Sequence, residues 1–176
     1  MNDSEEALKL VRKFVDAAVE DQPRARQMLK QHPELLNAKW MGESPLHFLV
    51  VEGYPPEVIR FLAQQGFDVN ALNEYGAPPL VDAVVIGNAP MIATLIELGA
   101  KLDVVSRSGL GLTPLETAAS AGRADLVDQL LRAGASPTFE GDLGGVEGIV
   151  EMLCPPANRE EVLSVLRAHG IGVERS

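Results

Sequence analysis

A chain of 176 residues, 46% hydrophobic and 23% charged, is long enough to bury a sizeable core and too apolar to remain disordered. Fifteen Lys and Arg against 25 Asp and Glu give a net charge of -10 spread along the chain, which disfavours nucleic acid and anionic membranes and favours a cationic protein surface as partner. Aromatics are only 5%, so the core must be aliphatic, and a single cysteine, Cys154, excludes an internal disulfide and a thiolate metal cage.

Asp3, Glu5 and Glu6 stand where a secretory signal would place basic residues, and no run of about 18 apolar residues follows, so a soluble protein of the cytoplasm is expected. Ser4 before Glu5 and Glu6 suits the start of a first helix, with acidic groups facing the positive end of its dipole. The next strong signal is Pro45-Leu46. Proline loses nothing at a first helical turn, so an apolar helix is predicted from Pro45 to Glu52, ended by Gly53 in a left-handed conformation. A second helix from Glu57 to Gln65 carries Val58, Ile59 and Leu62 at helical spacing and stops at Gly66. Phe67 to Glu74 has the extended, turn-rich composition of a hairpin. The same order returns with Pro79-Leu80, Gly87 and Gly99, and again with Pro114-Leu115, Gly122 and Gly134. A last pair of helices is predicted at Val146 to Leu153 and Asn158 to His169, closed by Gly170.

These markers share one period. The Pro-Leu pairs lie 34 and 35 residues apart, the later glycines 33 and 35 apart, and Asn37, Asn70 and Asp103 33 apart. One such helix pair cannot bury its own apolar face, so neighbours must stack on it. Gly42-Glu43-Ser44-Pro45-Leu46-His47 with Gly66-Phe67-Asp68-Val69-Asn70-Ala71, Gly76-Ala77-Pro78-Pro79-Leu80 with Gly99-Ala100-Lys101-Leu102-Asp103, and Thr113-Pro114-Leu115-Glu116-Thr117-Ala118-Ala119 with Gly134-Ala135 resemble the ankyrin repeat. The resemblance implies an all-α ankyrin-repeat solenoid, helix pairs joined by hairpin-like loops, filling the chain as one domain of 1–176. Its divisions would be an N-terminal cap at 4–38, central repeats at 39–72, 73–105 and 106–138, and a C-terminal cap at 139–172, with Ala17-Ala18 marking the first.

Two departures matter. Tyr54-Pro55-Pro56 adds one residue between helices, and two extra residues around Gly109-Leu110-Gly111-Leu112 should lengthen one hairpin finger. His47 is matched by Val81 and Glu116, so the family's Thr-to-His hydrogen-bond pattern is expected in one unit only.

Catalytic signals are weak. Gly109-Leu110-Gly111 and Gly141-Asp142-Leu143-Gly144-Gly145 lack the spacing of a phosphate-binding loop, and His32, His47 and His169 fall in three different units, so no cofactor or metal is expected. Cys154, before Pro155-Pro156 and without a nearby histidine, reads as a buried filler.

The resemblance implies partner binding along the concave side, through hairpin tips and the exposed ends of each first helix. Carried onto this chain, the tips are Trp40, Met41 and Glu43; Glu74, Tyr75 and Ala77; and Arg107, Ser108, Leu110 and Leu112, with helix ends at Val51-Glu52, Val85-Ile86 and Ser120-Ala121. Trp40 and Tyr75 beside Met41, Val51, Val85 and Ile86, rimmed by Glu43, Glu52, Glu74 and Asp82, have the composition of an interface core. The alternative is that Trp40 folds down over its own hairpin or packs on Tyr75. A monomeric protein-binding module without catalytic activity, acting as an adaptor or as an inhibitor of the immunity type, is the expectation; self-association through the same tips and, well behind, an enzyme are the competing classes.

Overall fold

The protein is described by a computed structural model that covers residues 3–107 and 109–172. Among the described residues there are ten α-helices, one 3-10 helix at Pro33–Asn37 and no named strand. The helices are α1 (Asp3–Glu20), α2 (Gln22–Gln31), α3 (Pro45–Val51), α4 (Pro56–Gln64), α5 (Pro79–Ile86), α6 (Ala89–Glu97), α7 (Pro114–Ser120), α8 (Ala124–Arg132), α9 (Val146–Met152) and α10 (Pro156–Ala168). Five of them open on a proline, and Gly87, the C-cap of α5, takes the left-handed φ of 80° that stops the helix.

The helices form five consecutive pairs in two layers. First helices pack side by side, α3 on α5, α5 on α7 and α7 on α9, while α4 packs on α6 and α8 on α10 behind them. One aliphatic core runs between the layers, with Leu46, Leu49, Ile59 and Leu62 giving way to Leu80, Ile92 and Leu95, then to Leu126 and Leu130, then to Ile149, Val162 and Leu166. Each buried branched side chain contributes about 1.5–3 kcal/mol, and no pair alone supplies enough of them to offset the entropy of ordering its backbone.

The first pair departs from the expectation. Helix α1 begins at Asp3 and runs 18 residues, so Ser4 lies inside it. Phe14 on this helix stacks with Phe67, ring centroids 5.4 Å apart, in the same buried core, and so covers its N-terminal end.

The predicted hairpins are reduced to tight turns, with two isolated bridges, Trp40 to Glu43 and Gly141 to Gly144. In the first, Met41 (φ 52°) and Gly42 (φ 83°) are both left-handed, the geometry a two-residue hairpin turn demands. A non-glycine residue there costs roughly 1 kcal/mol.

The two extra residues before α7 fold back toward the following turn. Gly111 and Leu112 are buried, Leu110 stays exposed, and the Asp142 N–H donates to the Gly111 carbonyl at 2.8 Å. Contact is so close that a Cβ on Gly141 would collide with the Gly111 carbonyl oxygen and the Glu116 carboxylate. Gly141→Ala is therefore expected to lower stability by about 2 kcal/mol, read as a shifted urea midpoint at constant slope. A midpoint within error of the parent would show that the turn has room to move.

Candidate binding face

The exposed face of the first-helix layer is set by helical spacing. On α3 the buried positions Leu46, His47, Leu49 and Val50 leave Phe48, Val51 and Glu52 outward; on α5, Leu80, Val81, Ala83 and Val84 leave Asp82, Val85 and Ile86. Because α3 and α5 lie side by side, Val51, Val85 and Ile86 form one apolar stripe, with Val85 68% exposed. Ser120 and Ala121 continue it at the end of α7, followed by Met152 and Leu153 at the end of α9. Those last two went unnamed from sequence, although the period that places Val51, Val85 and Ser120 leads to them. Phe139 and Leu143, exposed on the last turn, were missed for the same reason.

Beside the stripe the turns stand in a row, each tied to the next. The Glu74 side chain lies against Gly42, the Arg107 N–H donates to the Tyr75 carbonyl at 2.9 Å, and Asp142 bonds Gly111 as above. Met41 is 80% exposed and Tyr75 51%; Glu52, Glu74, Arg107 and Leu110 are also exposed, and Glu43 is half-buried. Ser108 lies outside the described residues. Two expected tip residues are corrected: Ala77 and Leu112 are buried, each standing next to the N-cap residue of the following helix and past the tip of its turn. Trp40 is half-buried, its ring 5.0 Å from Phe48, which in turn lies 6.3 Å from Tyr54. Its ring partner is thus Phe48 and not Tyr75.

The row is pinned from beneath by two buried polar side chains. His47 accepts from Ser44 Oγ at 2.7 Å through Nδ1 and donates from Nε2 to the Ala77 carbonyl of the next pair at 2.9 Å, the tautomer that satisfies both. Burial holds its pKa below the ordinary histidine value, against the Ala77 bond and with Lys39 adding repulsion, so the ring is neutral. Glu116 does the corresponding work with the opposite polarity. It accepts the Thr113 N–H at 2.8 Å and reaches forward to accept the Gly141 N–H at 3.1 Å. The histidine pattern stands at His47, and beside it a forward bridge recurs with the Glu116 carboxylate, because a forward N–H needs an acceptor where a forward carbonyl needs a donor. Val81 makes no such bond.

Asp82 departs from its expected place in a solvated rim. Its Oδ2 is enclosed and has no hydrogen-bond partner among the described residues. Burial, with Glu43 adding repulsion, pushes its pKa up to about 7. Glu43 is itself raised by burial and then by Glu74, so three carboxylates gather where α5 meets the first two turns. Among the described residues, no group of three or more acidic, histidine or cysteine side chains is arranged to hold a metal ion. Cys154 is buried, and burial raises its thiol pKa, the reverse of an activated nucleophile.

Comparison with known proteins agrees with this architecture. The family model for ankyrin repeats (3 copies) matches residues 53–140, half of the chain, and the protein belongs to the ankyrin repeat family. Ankyrin repeats are in general protein–protein interaction modules without catalytic activity. Among similar proteins, the ankyrin repeat protein nuc-2 of Neurospora crassa is 32% identical over 85 residues, 48% of this chain and 8% of its own length. Alpha-latrocrustotoxin-Lt1a of Latrodectus tredecimguttatus is 35% identical over 92 residues, 52% of this chain and 6% of its own. The E3 ubiquitin-protein ligase KEG of Arabidopsis thaliana is 31% identical over 103 residues, 58% of this chain and 6% of its own. The chain thus spans less than a tenth of each of these relatives. No helix among the described residues is long and apolar enough to cross a membrane.

Proposed function

We propose that this protein binds another protein through the stripe of Val51, Val85 and Ile86 and the adjoining turn residues Trp40, Met41, Glu43, Glu74, Tyr75, Arg107, Ser108 and Leu110, with Glu52 at the edge, as a monomeric adaptor or inhibitor in the cytoplasm. On the proposed division, repeats 39–72, 73–105 and 106–138 supply this face and the caps 4–38 and 139–172 close the core.

The observation that carries the reading is the exposure of several large apolar side chains in one row, on helices whose other faces are fully buried. Met41 adds to it. It is a flexible apolar side chain held in a left-handed turn, where asparagine or glycine would fit with less strain. A net charge of -10 argues against self-association, since two copies of the face would bring like charges together.

Met41→Asn relieves the turn while removing the apolar contact, and Val85→Asn alters an exposed position, so both variants are expected to melt at or near the parent temperature. Immobilised parent and double variant are compared for proteins retained from native extract, and the retained protein is then purified and titrated against both. A loss of at least tenfold in affinity in the folded double variant, about 1.4 kcal/mol, is expected for two residues at an interface centre. Equal affinity would move the binding surface elsewhere on the array.

A further inference from the structure

Charge is not shared evenly between the two layers of the array. The first helices of the last four pairs and the turns before them, residues 39–52, 73–86, 106–121 and 139–153, carry nine Asp and Glu against two cations, Lys39 and Arg107. Second helices α4, α6, α8 and α10, with the N-cap Arg123, carry six acids and five arginines and are close to neutral. Their charges also neutralise one another: Arg60 pairs with Glu97, Arg123 with Asp125, Arg132 with Asp128 and Arg167 with Glu160. No acid of the first-helix layer makes an ion pair among the described residues. Most of the net charge of -10 thus belongs to the face that also exposes Val51, Val85, Ile86, Met152 and Leu153. Folding gains nothing from that separation, because like charges gathered on one side repel.

The acids flank the apolar stripe on both sides. Glu74, Glu140 and Asp142 are exposed on turns at the N-terminal ends of the first helices, and Glu52 and Glu151 are exposed at their C-terminal ends. Four helices packed side by side, about 8–10 Å from one to the next, make a row roughly 30 Å long. A strand returns a side chain to the same face every ~6.7 Å and falls out of step with that spacing. A helix does so every seven residues, about 10.5 Å, and keeps step along the row. We infer that the partner protein lays a basic amphipathic helix of about 20 residues across the first helices, its apolar face on Val51, Val85 and Ile86 and then on Met152 and Leu153, its lysines and arginines on the flanking acids. The inference rests on the reading of this face as the protein-binding surface and names the element that covers it.

Nuclear magnetic resonance titration of the full chain tests it with three capped peptides of three heptads each. The basic peptide has leucine at the first and fourth places of every heptad and lysine or alanine at the rest. The acidic peptide replaces each lysine by glutamate, and the third is the basic peptide with proline at its centre, which keeps the charge and breaks the helix. The basic peptide is expected to shift the Val51, Val85 and Met152 resonances, to bind at least tenfold more tightly than either of the others, and to weaken as salt is added. Glu52→Lys combined with Glu151→Lys places cations at exposed helix ends that the dipole favours, so the variant should melt near the parent temperature and bind the basic peptide about tenfold more weakly. The inference is overturned if the proline or the acidic peptide binds as tightly as the basic one, if the double variant keeps the parent affinity, if the shifts fall on the second helices, or if no peptide binds at millimolar concentration. Peptides that bind regardless of charge and helix, and are all weakened by Val85→Asn, would remove the basic helix and leave the binding face standing. Should Val85→Asn leave every peptide unaffected, the binding-face reading itself falls.

Discussion

Glu116→Ala is expected to cost about 3 kcal/mol, because the carboxylate is itself buried and is the acceptor for two N–H groups, the buried one of Thr113 and the part-buried one of Gly141. The side chain is 1% exposed, so its removal also leaves a void under the turn before α9. For a chain of this size the loss corresponds to a melting temperature lowered by roughly 10 °C. Glu116→Gln keeps one acceptor oxygen and turns an N–H₂ toward a donor, so its cost should fall between the two. Amide hydrogen exchange locates the effect: Gly141 should exchange faster in Glu116→Ala while Ala77, held by His47, keeps its environment. A cost under about 1 kcal/mol with Gly141 exchange unchanged would remove Glu116 from the stability argument.

Asp82 gives the second large effect, and its sign is opposite to that of an ordinary paired aspartate. Between the usual 3.8 and about 7 the folded chain holds a proton on Asp82 that the unfolded chain has lost. Stability from this group is therefore present at low pH and disappears as pH rises through 7. The full shift would be worth about 4 kcal/mol, and because the side chain is partly solvated about half of that is expected. Glu43 is the charged group that faces it, so lowering pH through the Glu43 titration acts in the same direction. Asp82→Asn removes the dependence: the stability difference between variant and parent should grow from pH 4 to 7 and level off above, reaching about 2 kcal/mol in favour of the variant. His47 works the other way, its contribution being complete above its unfolded value of 6.5 and lost as pH falls below it, but it is common to both proteins and cancels in the difference. A flat difference curve would mean that Asp82 is ionised in the fold.

These two residues also mark where sequence reading stops. The helices were legible because their signals are local: Pro45, Pro79 and Pro114 open α3, α5 and α7, and α9 starts at the predicted Val146, its end and the bounds of α10 lying one or two residues from prediction. The rows of turns and first helices follow from the period. What a carboxylate does depends on neighbours that the period brings together from about 25 to 40 residues away. Glu116 reads only as a residue standing where His47 does, and Asp82, at a position that is Phe48 in the preceding pair, reads as a rim charge, until Gly141 and Glu43 stand beside them. Trp40 was legible as an outlier in composition, but which side of the turn it covers depends on Phe48, whose half-buried place no single-residue signal announces.

Val81 makes the array mechanically uneven. His47 latches the second helix pair to the third and Glu116 latches the fourth to the fifth, each through a buried side chain, while the seam between α5 and α7 has an aliphatic side chain at that position. Bonds that cross it among the described residues, such as Arg107 to Tyr75, Gln129 to Ala89 and Ser136 to Asp103, lie at or near the surface, where solvent can take over either partner. Under tension or in mild denaturant this seam is therefore expected to yield before either of the two latched ones. Val51, Val85 and Ile86 all lie on the N-terminal side of that seam, so the apolar stripe does not depend on its holding.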